Sequence, residues 1–195
     1  PVCLIEAVHA FAEKAAAIAV HEDFHLIHAH DWTTYLAGIA AHTVSGCPLI
    51  VHVHATAFDQ AGGDKVDPNI YAIERRAFHV ADCVIAVSER TKRCISEKYG
   101  VEPEKVEVVY NGTETDEPIR YEPTLSELTS MGKKIVLYHG RITIQKGVDY
   151  FVQAAKKVVE QDPNVVFVIS GKGNMEQQIM HQVAALGLSS HVRFA

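Results

Sequence analysis

The sequence predicts an α/β fold built on parallel sheets, and three observations carry that prediction. Short apolar runs such as PLIVHVHA (48–55), CVIAVS (83–88) and VVFVISG (165–171) alternate with stretches of helical period. Such alternation implies parallel strands joined by right-handed crossovers. The runs are apolar almost throughout, as in strands covered on both faces. Most glycines and prolines fall between the segments or at their ends, where the chain must turn.

The elements follow in order. FAEKAAAIAV (11–20) reads as helix and FHLIHAHD (24–31) as strand. TTYLAGIAAHTV (33–44) reads as helix, closed by Ser45-Gly46 before Pro48. PLIVHVHA is a strand, and ATAFDQAGGDKVD (55–67) a loop with Gly62-Gly63 inside it. The next helix starts at Pro68, a residue suited to a first helical turn, and carries Ile70, Ile73, Ala77 and Phe78 on one face. After the strand CVIAVS, Ser88 can cap the helix ERTKRCISEKY, which ends at Gly100. VEVVYNG (106–112) is another strand.

Composition then shifts. The stretch from Thr113 is rich in charge and holds Pro118 and Pro123, which predicts a linker over 113–132 between two Rossmann-like half-domains, 1–112 and 133–195. The alternation resumes with KIVLYHG (134–140), the helix VDYFVQAAKKVVEQ (148–161), VVFVISG, the helix NMEQQIMHQVAALG (174–187) and VRFA. The chain begins with Pro1 and stops at Ala195 inside a strand-like run. We therefore expect a piece of a longer polypeptide, with both half-domains incomplete.

Composition excludes several classes. The net charge of −6 argues against a nucleic-acid-binding surface. No apolar run approaches the roughly 20 residues that cross a bilayer, and Glu6, His9 and Glu13 interrupt any signal-peptide pattern at the N-terminus. Cys3, Cys47, Cys83 and Cys94 show no CxxC spacing. They read as buried reduced thiols, as expected of a cytoplasmic protein.

In parallel α/β sheets, ligands sit beyond the carboxyl ends of the strands. Those ends carry His28, His30 and Asp31; His52 and His54; Asn111 and Gly112; Gly140 and Arg141; and Gly171 to Gly173. The segment HGRITIQKG (139–147) is the most informative of them. Gly140 lets the chain turn at the strand end. Arg141 can hold phosphate oxygens with two parallel hydrogen bonds, and Lys146 adds a compact charge. Lys146 and Gly147 open a helix whose N-terminus favours an anion. No acid lies between the two cations, so a diphosphate is the natural guest.

GRxxxxKG in this setting resembles the donor-phosphate motif of retaining glycosyltransferases of the glycogen/starch synthase and family 4 type, which have the GT-B fold. HAHDW (28–32) is similar to that family's first-domain motif, HVHATAFDQAGG (52–63) to its histidine loop, and IERRAFHVADCVIAVSERTK (73–92) to its helix–strand–helix segment. VEVVYNG resembles the strand before its hinge. The resemblance covers nearly the whole chain, in family order. It implies transfer of a sugar, glucose foremost, from a UDP- or ADP-sugar to a glycan or similar acceptor, with no metal or other cofactor. Arg141 and Lys146 would bind the donor diphosphate and stabilise its growing charge, and Gly140, Gly171 and Gly173 would shape the donor strand ends. His54 would lie beside the transferred sugar, and His30, Asp31 and Trp32 would border the sugar and acceptor region. NGTE replaces the family's Asn-Gly-Val-Asp at the hinge, with Glu114 in the acidic position. The family's N-terminal glycine-rich loop and its later Glu-x7-Glu segment are absent from these residues, so we expect no transfer from the 195 residues alone.

Other readings stay open. HAHD and HVH can bind zinc, as in metal-dependent hydrolases, but that needs further ligands, and later strand ends offer His139 beside a repelling Arg141. His28 and His52 also read as hydrogen-bonded core histidines, Asp31 as a helix cap and Trp32 as core. Glu74, Arg75 and Arg76 read as a solvated helix face or an internal ion-pair group. GKG (171–173) lacks the third glycine of a dinucleotide fingerprint, and no GxSxG occurs. A non-catalytic module holding a nucleotide or a protein is the main alternative.

Overall fold

The computed structural model describes residues 3–113 and 123–195, the side chains of 123–126 excepted. The chain divides into two compact units, Pro1–Thr113 and Glu114–Ala195.

In the first unit the elements run α1 (Leu4–Ala19), β1 (Ile27–His30), α2 (Trp32–Ser45), β2 (Leu49–Val53), α3 (Ala57–Ala61), α4 (Pro68–Val80), β3 (Cys83–Ala86), α5 (Glu89–Tyr99) and β4 (Val106–Val108). The four strands form one parallel sheet in the order β1-β2-β3-β4. Leu49, Val51 and Val53 of β2 are fully buried with Val84, Ala86 and Val106. They pack with Tyr35, Phe78, Ile95 and Tyr99 from the helices. Burying each such large side chain contributes about 1.5–3 kcal/mol. Gly38 brings α2 close to this face: a Cβ there would meet Ala29 Cβ and Leu49 Cδ1, each at 2.9 Å.

The caps explain the helix limits. Asp67 accepts from the Asn69 and Ile70 N–H groups ahead of Pro68, and Ser88 accepts from Thr91 N–H at 3.1 Å. Gly46 and Gly100 close α2 and α5 in the left-handed conformation.

Some elements differ from the sequence reading. The first helix begins at Leu4 rather than 11, where the Glu6 carboxylate accepts from Cys3 N–H at 3.1 Å. The loop 55–67 holds α3, opened by Thr56 and Asp59, whose groups satisfy each other's N–H donors. β4 stops at Val108 rather than 112 because its partner β3 ends at Ala86, which accepts the last bond from Val109 N–H. None of the four cysteines is buried or paired: Cys3 is exposed and the others are half-buried.

In the second unit α6 (Pro123–Ser130) lies inside the stretch read as linker, and residues 114–122 of that stretch, Glu114 included, fall outside the described residues. β5 (Lys134–His139), α7 (Val148–Gln161), β6 (Val165–Ser170), α8 (Glu176–Ala185) and β7 (Val192–Phe194) follow. A 3-10 turn, Ile144–Lys146, precedes α7. The sheet is parallel in the order β5-β6-β7. Its core joins Phe167 and Ile169 to Ile142, Val148, Val152, Ile179 and Leu188.

The expectation of strands covered on both faces holds for β6, where Val165 to Ile169 are all buried. It fails for β2, whose burial alternates, and for β5, where Leu137 is 53% exposed. In β1 and β2 the less covered face is the one that carries the histidines.

Candidate active site

The parallel register sets the first group of residues. His30 pairs with His52 across β1 and β2, and His28 with Ile50, so the pleat places His28, His30 and His52 on one face. His54 continues that face past the end of β2. The four rings cluster, with centroids 4.3 Å apart for the tilted pair His28 and His30 and 4.4 Å apart for the stacked pair His52 and His54. His30 Nδ1 lies 3.0 Å from His54 Nε2, within hydrogen-bond distance. Burial, then the neighbouring imidazoles, lower His28 and His52 from the ordinary histidine value, which favours the neutral rings.

Asp31 joins β1 to α2 and is the one non-glycine with positive φ among the described residues, at φ 58°. Its side chain makes no cap bond to the helix. Instead Oδ1 accepts from His54 N–H at 2.8 Å and from Ala55 N–H at 3.4 Å. The strained backbone thus aims a carboxylate at the loop after β2 and fixes where His54 stands. Tyr35 supports the same turn by donating its hydroxyl to the His52 carbonyl at 3.0 Å.

One buried group lies behind this loop. Glu74 is fully buried; its Oε2 accepts from Ala57 N–H at 3.1 Å and from the Tyr99 hydroxyl at 2.5 Å. Burial pushes its carboxyl up to about 7. The sequence reading of a solvated face or an ion-pair group is corrected here: Arg75 and Arg76 are exposed, and Glu74 turns inward to tyrosine and backbone.

The second group lies in the second unit. β5 ends at His139, and Gly140 follows with φ 155°. Arg141 is exposed, while the next residue, Ile142, is buried and anchors the segment. Tyr138 donates its hydroxyl to the Arg141 carbonyl at 2.8 Å. The Arg141 guanidinium reaches Gln145 Oε1 at 3.4 Å. Lys146 ends the 3-10 turn, exposed, and Gly147 caps α7 with φ 63° and no side-chain bond. Among the described residues neither Arg141 nor Lys146 forms a salt bridge.

Gly171 and Gly173 have a packing reason to be glycine. A Cβ on Gly171 would stand 2.0 Å from the Gly140 carbonyl oxygen, and one on Gly173 would stand 2.1 Å from that of Ile142. The loops after β5 and β6 therefore touch backbone to backbone, held by Gly140 N–H to Ser170 O and Ile142 N–H to Lys172 O, both 3.0 Å.

Each unit brings most of its expected residues together: His30, Asp31 and His54 in the first, and Gly140, Gly171 and Gly173 beside Arg141 in the second, with Lys146 following at the end of the 3-10 turn. Trp32 goes instead to the core, 7% exposed. The core reading of His28 is corrected, since its ring is exposed; His52 is half-buried, and neither of its ring nitrogens has a hydrogen-bond partner. The ligand atoms of His28, His30 and His52 all lie within 4.8 Å of one another. β1 and β2 thus supply three metal-type ligands without the later strand ends that the sequence reading required. The inward turn of Glu74 behind the loop and the contact of Gln145 with Arg141 were not read from the sequence. A glutamate at the apolar spacing of α4 was the available signal for the first.

Known proteins share the sequence and fold of this chain. Residues 4–117 match the family model described as Glycosyltransferase Family 4, and residues 125–195 match Glycosyl transferases group 1. An uncharacterised glycosyltransferase of Methanocaldococcus jannaschii is 30% identical over 191 residues, covering 93% of this chain and 49% of the relative. Alpha-maltose-1-phosphate synthase of Mycolicibacterium smegmatis is 33% identical over 174 residues, covering 82% and 43%. The chain thus spans about half the length of the curated relatives it matches. Among solved structures, sucrose-phosphate synthase from Thermosynechococcus elongatus superposes with a TM-score of 0.76 at 20% identity, over 98% of this chain and 50% of that one. Anabaena HepE in complex with UDP-glucose gives 0.72 at 21%, over 94% and 50%. Two α/β units with parallel sheets, the order of the motifs and a family match over more than half of the residues lead to one conclusion: the chain belongs to glycosyltransferase family 4 and has the GT-B fold.

Proposed function

We propose that the protein transfers a sugar, with retention of configuration, from a nucleotide-diphosphate sugar to a glycan or similar acceptor. The observation that carries this reading is the exposed pair Arg141 and Lys146 at the end of β5, ahead of the N-terminus of α7 and free of any acidic partner among the described residues. Two cations without a carboxylate suit an anion with several oxygens. In the reaction the bond between the sugar C1 and the diphosphate oxygen breaks, and a bond from C1 to an acceptor hydroxyl oxygen forms. Negative charge grows on the departing nucleoside diphosphate, whose oxygen takes up the proton that the acceptor hydroxyl loses. Arg141 and Lys146 meet that charge where their stabilisation lowers the barrier most.

Gly140, Gly171 and Gly173 act by letting two strand-end loops meet, which sets the position of Arg141. His54, held by Asp31 and His30, faces the sugar, and Trp32 supports Asp31 from the core. No metal enters the step, because the two cations do the charge work. UDP is the donor nucleotide we favour, since HepE was solved with UDP-glucose and the second unit shares its fold class. Glucose is the sugar we favour on the same ground and on the resemblance to glycogen synthases. Four unpaired cysteines support a reducing, cytoplasmic setting, and among the described residues no helix is long and apolar enough to cross a membrane.

The test offers the full-length protein, not the 195 residues alone, UDP-glucose or ADP-glucose with a glucan acceptor and follows nucleoside diphosphate release and product anomer. The reading expects release that depends on acceptor, with the donor's anomeric configuration kept. UDP binding without any turnover across a donor and acceptor panel would favour a non-catalytic binding module instead.

A further inference from the structure

The transfer reading uses His54 and His30 and leaves His28 and His52 without a task. We propose that His28, His30 and His52 form a binding site for a borderline transition-metal ion, zinc foremost, which shares His30 with the sugar-facing group but takes no part in the transfer step. This inference does not depend on the transferase reading.

The geometry comes from the sheet. His28 and His30 stand two residues apart on β1, and His52 stands opposite His30 in register, so three imidazoles share one face of two adjacent strands. Their ligand nitrogens lie within 4.8 Å of one another. A tetrahedral zinc with Zn–N of about 2.0–2.1 Å needs nitrogens about 3.3 Å apart. Closing that difference requires the His28 and His52 rings to turn about χ1 and χ2 toward His30.

The second observation is His52 itself. A neutral imidazole presents one N–H and one lone pair. Both of its ring nitrogens are shielded from solvent and have no hydrogen-bond partner. Leaving such groups unmet is costly, and a cation would take the lone pair. His54 adds a support of the kind metal-ligating histidines use. With the proton on His30 Nδ1, the 3.0 Å contact to His54 Nε2 fixes the His30 ring and leaves Nε2 to the ion. An all-imidazole set selects zinc, copper or nickel over magnesium or calcium, which prefer oxygen. Three protein ligands leave the fourth position to water.

The experiment strips the full chain with a chelator, dialyses it against zinc chloride or magnesium chloride, and measures bound metal. We expect one zinc per chain and no magnesium. Cobalt(II) in place of zinc should give the intense visible absorption of tetrahedral coordination. His28→Ala and His52→Ala, checked for folding by circular dichroism, should each weaken zinc binding at least about tenfold. Absence of saturable zinc binding, affinity unchanged in both folded variants, or a weak octahedral cobalt spectrum would each overturn the site. If either variant does not fold, the cobalt spectrum of the unsubstituted chain decides.

Discussion

Replacing Gly171 by alanine tests how the second unit positions its cations. The new Cβ would stand 2.0 Å from the Gly140 carbonyl oxygen and 2.9 Å from its carbon. A carbon normally approaches a carbonyl oxygen no closer than about 3.3 Å, so roughly 1.3 Å of separation must be found. Both obstructing atoms are backbone, and no flexible side chain can yield. The segment 140–142 must move, and it carries the bonds Gly140 N–H to Ser170 O, Ile142 N–H to Lys172 O and Met175 N–H to Ile142 O. At about 1 kcal/mol net for each bond, their loss costs about 2–3 kcal/mol. The φ of +141° at Gly171 adds about 1 kcal/mol or more for a residue with a side chain. Urea unfolding followed by fluorescence should show the transition of this unit shifted down by roughly 1 M or more. UDP affinity should fall with it, because Arg141 rides on the displaced segment. An unchanged midpoint together with unchanged UDP affinity would refute the claim that the two loops touch.

Two further perturbations address the first unit. Glu74 keeps its proton up to about pH 7 in the folded chain, against an ordinary value of 4.5. The folded state therefore binds more protons than the unfolded state between those values, and this group's contribution to stability falls as pH rises from about 4.5 to about 7 and is flat above. The whole effect is on the order of 3 kcal/mol. Glu74→Gln should remove that slope, seen as a smaller difference between urea midpoints at pH 5 and pH 8 than in the native chain; an equal difference in both would exclude Glu74 as the source. Asp31→Ala should leave the sheet intact but free the His54 and Ala55 N–H groups, costing about 1–3 kcal/mol and lowering transfer more than UDP affinity. Full transfer by a folded Asp31→Ala protein would show that His54 does not depend on that carboxylate.

Much of the fold was legible because most strands lie in short apolar runs and some helix limits are marked in the sequence. Pro68, Ser88 and the glycines at 46 and 100 mark limits that the structure reproduces. The helix α3 was hidden because it spans one turn and a half, and Asp59 fills the capping role usually held by glutamate. α6 was hidden among prolines and charges that also describe a linker. In the candidate site, Arg141 and Lys146 stand out from their spacing after a strand. The histidines of HAHD and HVH stand out as well, but that His28, His30 and His52 meet on one face depends on the register of β1 against β2, which no local pattern specifies. Glu74 follows two apolar rules at once: it sits at a core position of α4, yet its neighbours Arg75 and Arg76 make the segment look solvated. Asp31 was ambiguous for a related reason. A carboxylate before a helix suggests a cap, and only the positive φ turns it toward the loop after β2.

The central claim is that Arg141 and Lys146 receive the donor diphosphate. Calorimetric titration of the full chain with UDP, and separately with uridine, tests it most directly, repeated on Arg141→Ala and Lys146→Ala. The account predicts binding of UDP but not of uridine, weakened at least about tenfold by Arg141→Ala, as expected for loss of a charge-assisted contact of roughly 1.5–3 kcal/mol. UDP affinity unchanged in both variants would contradict it.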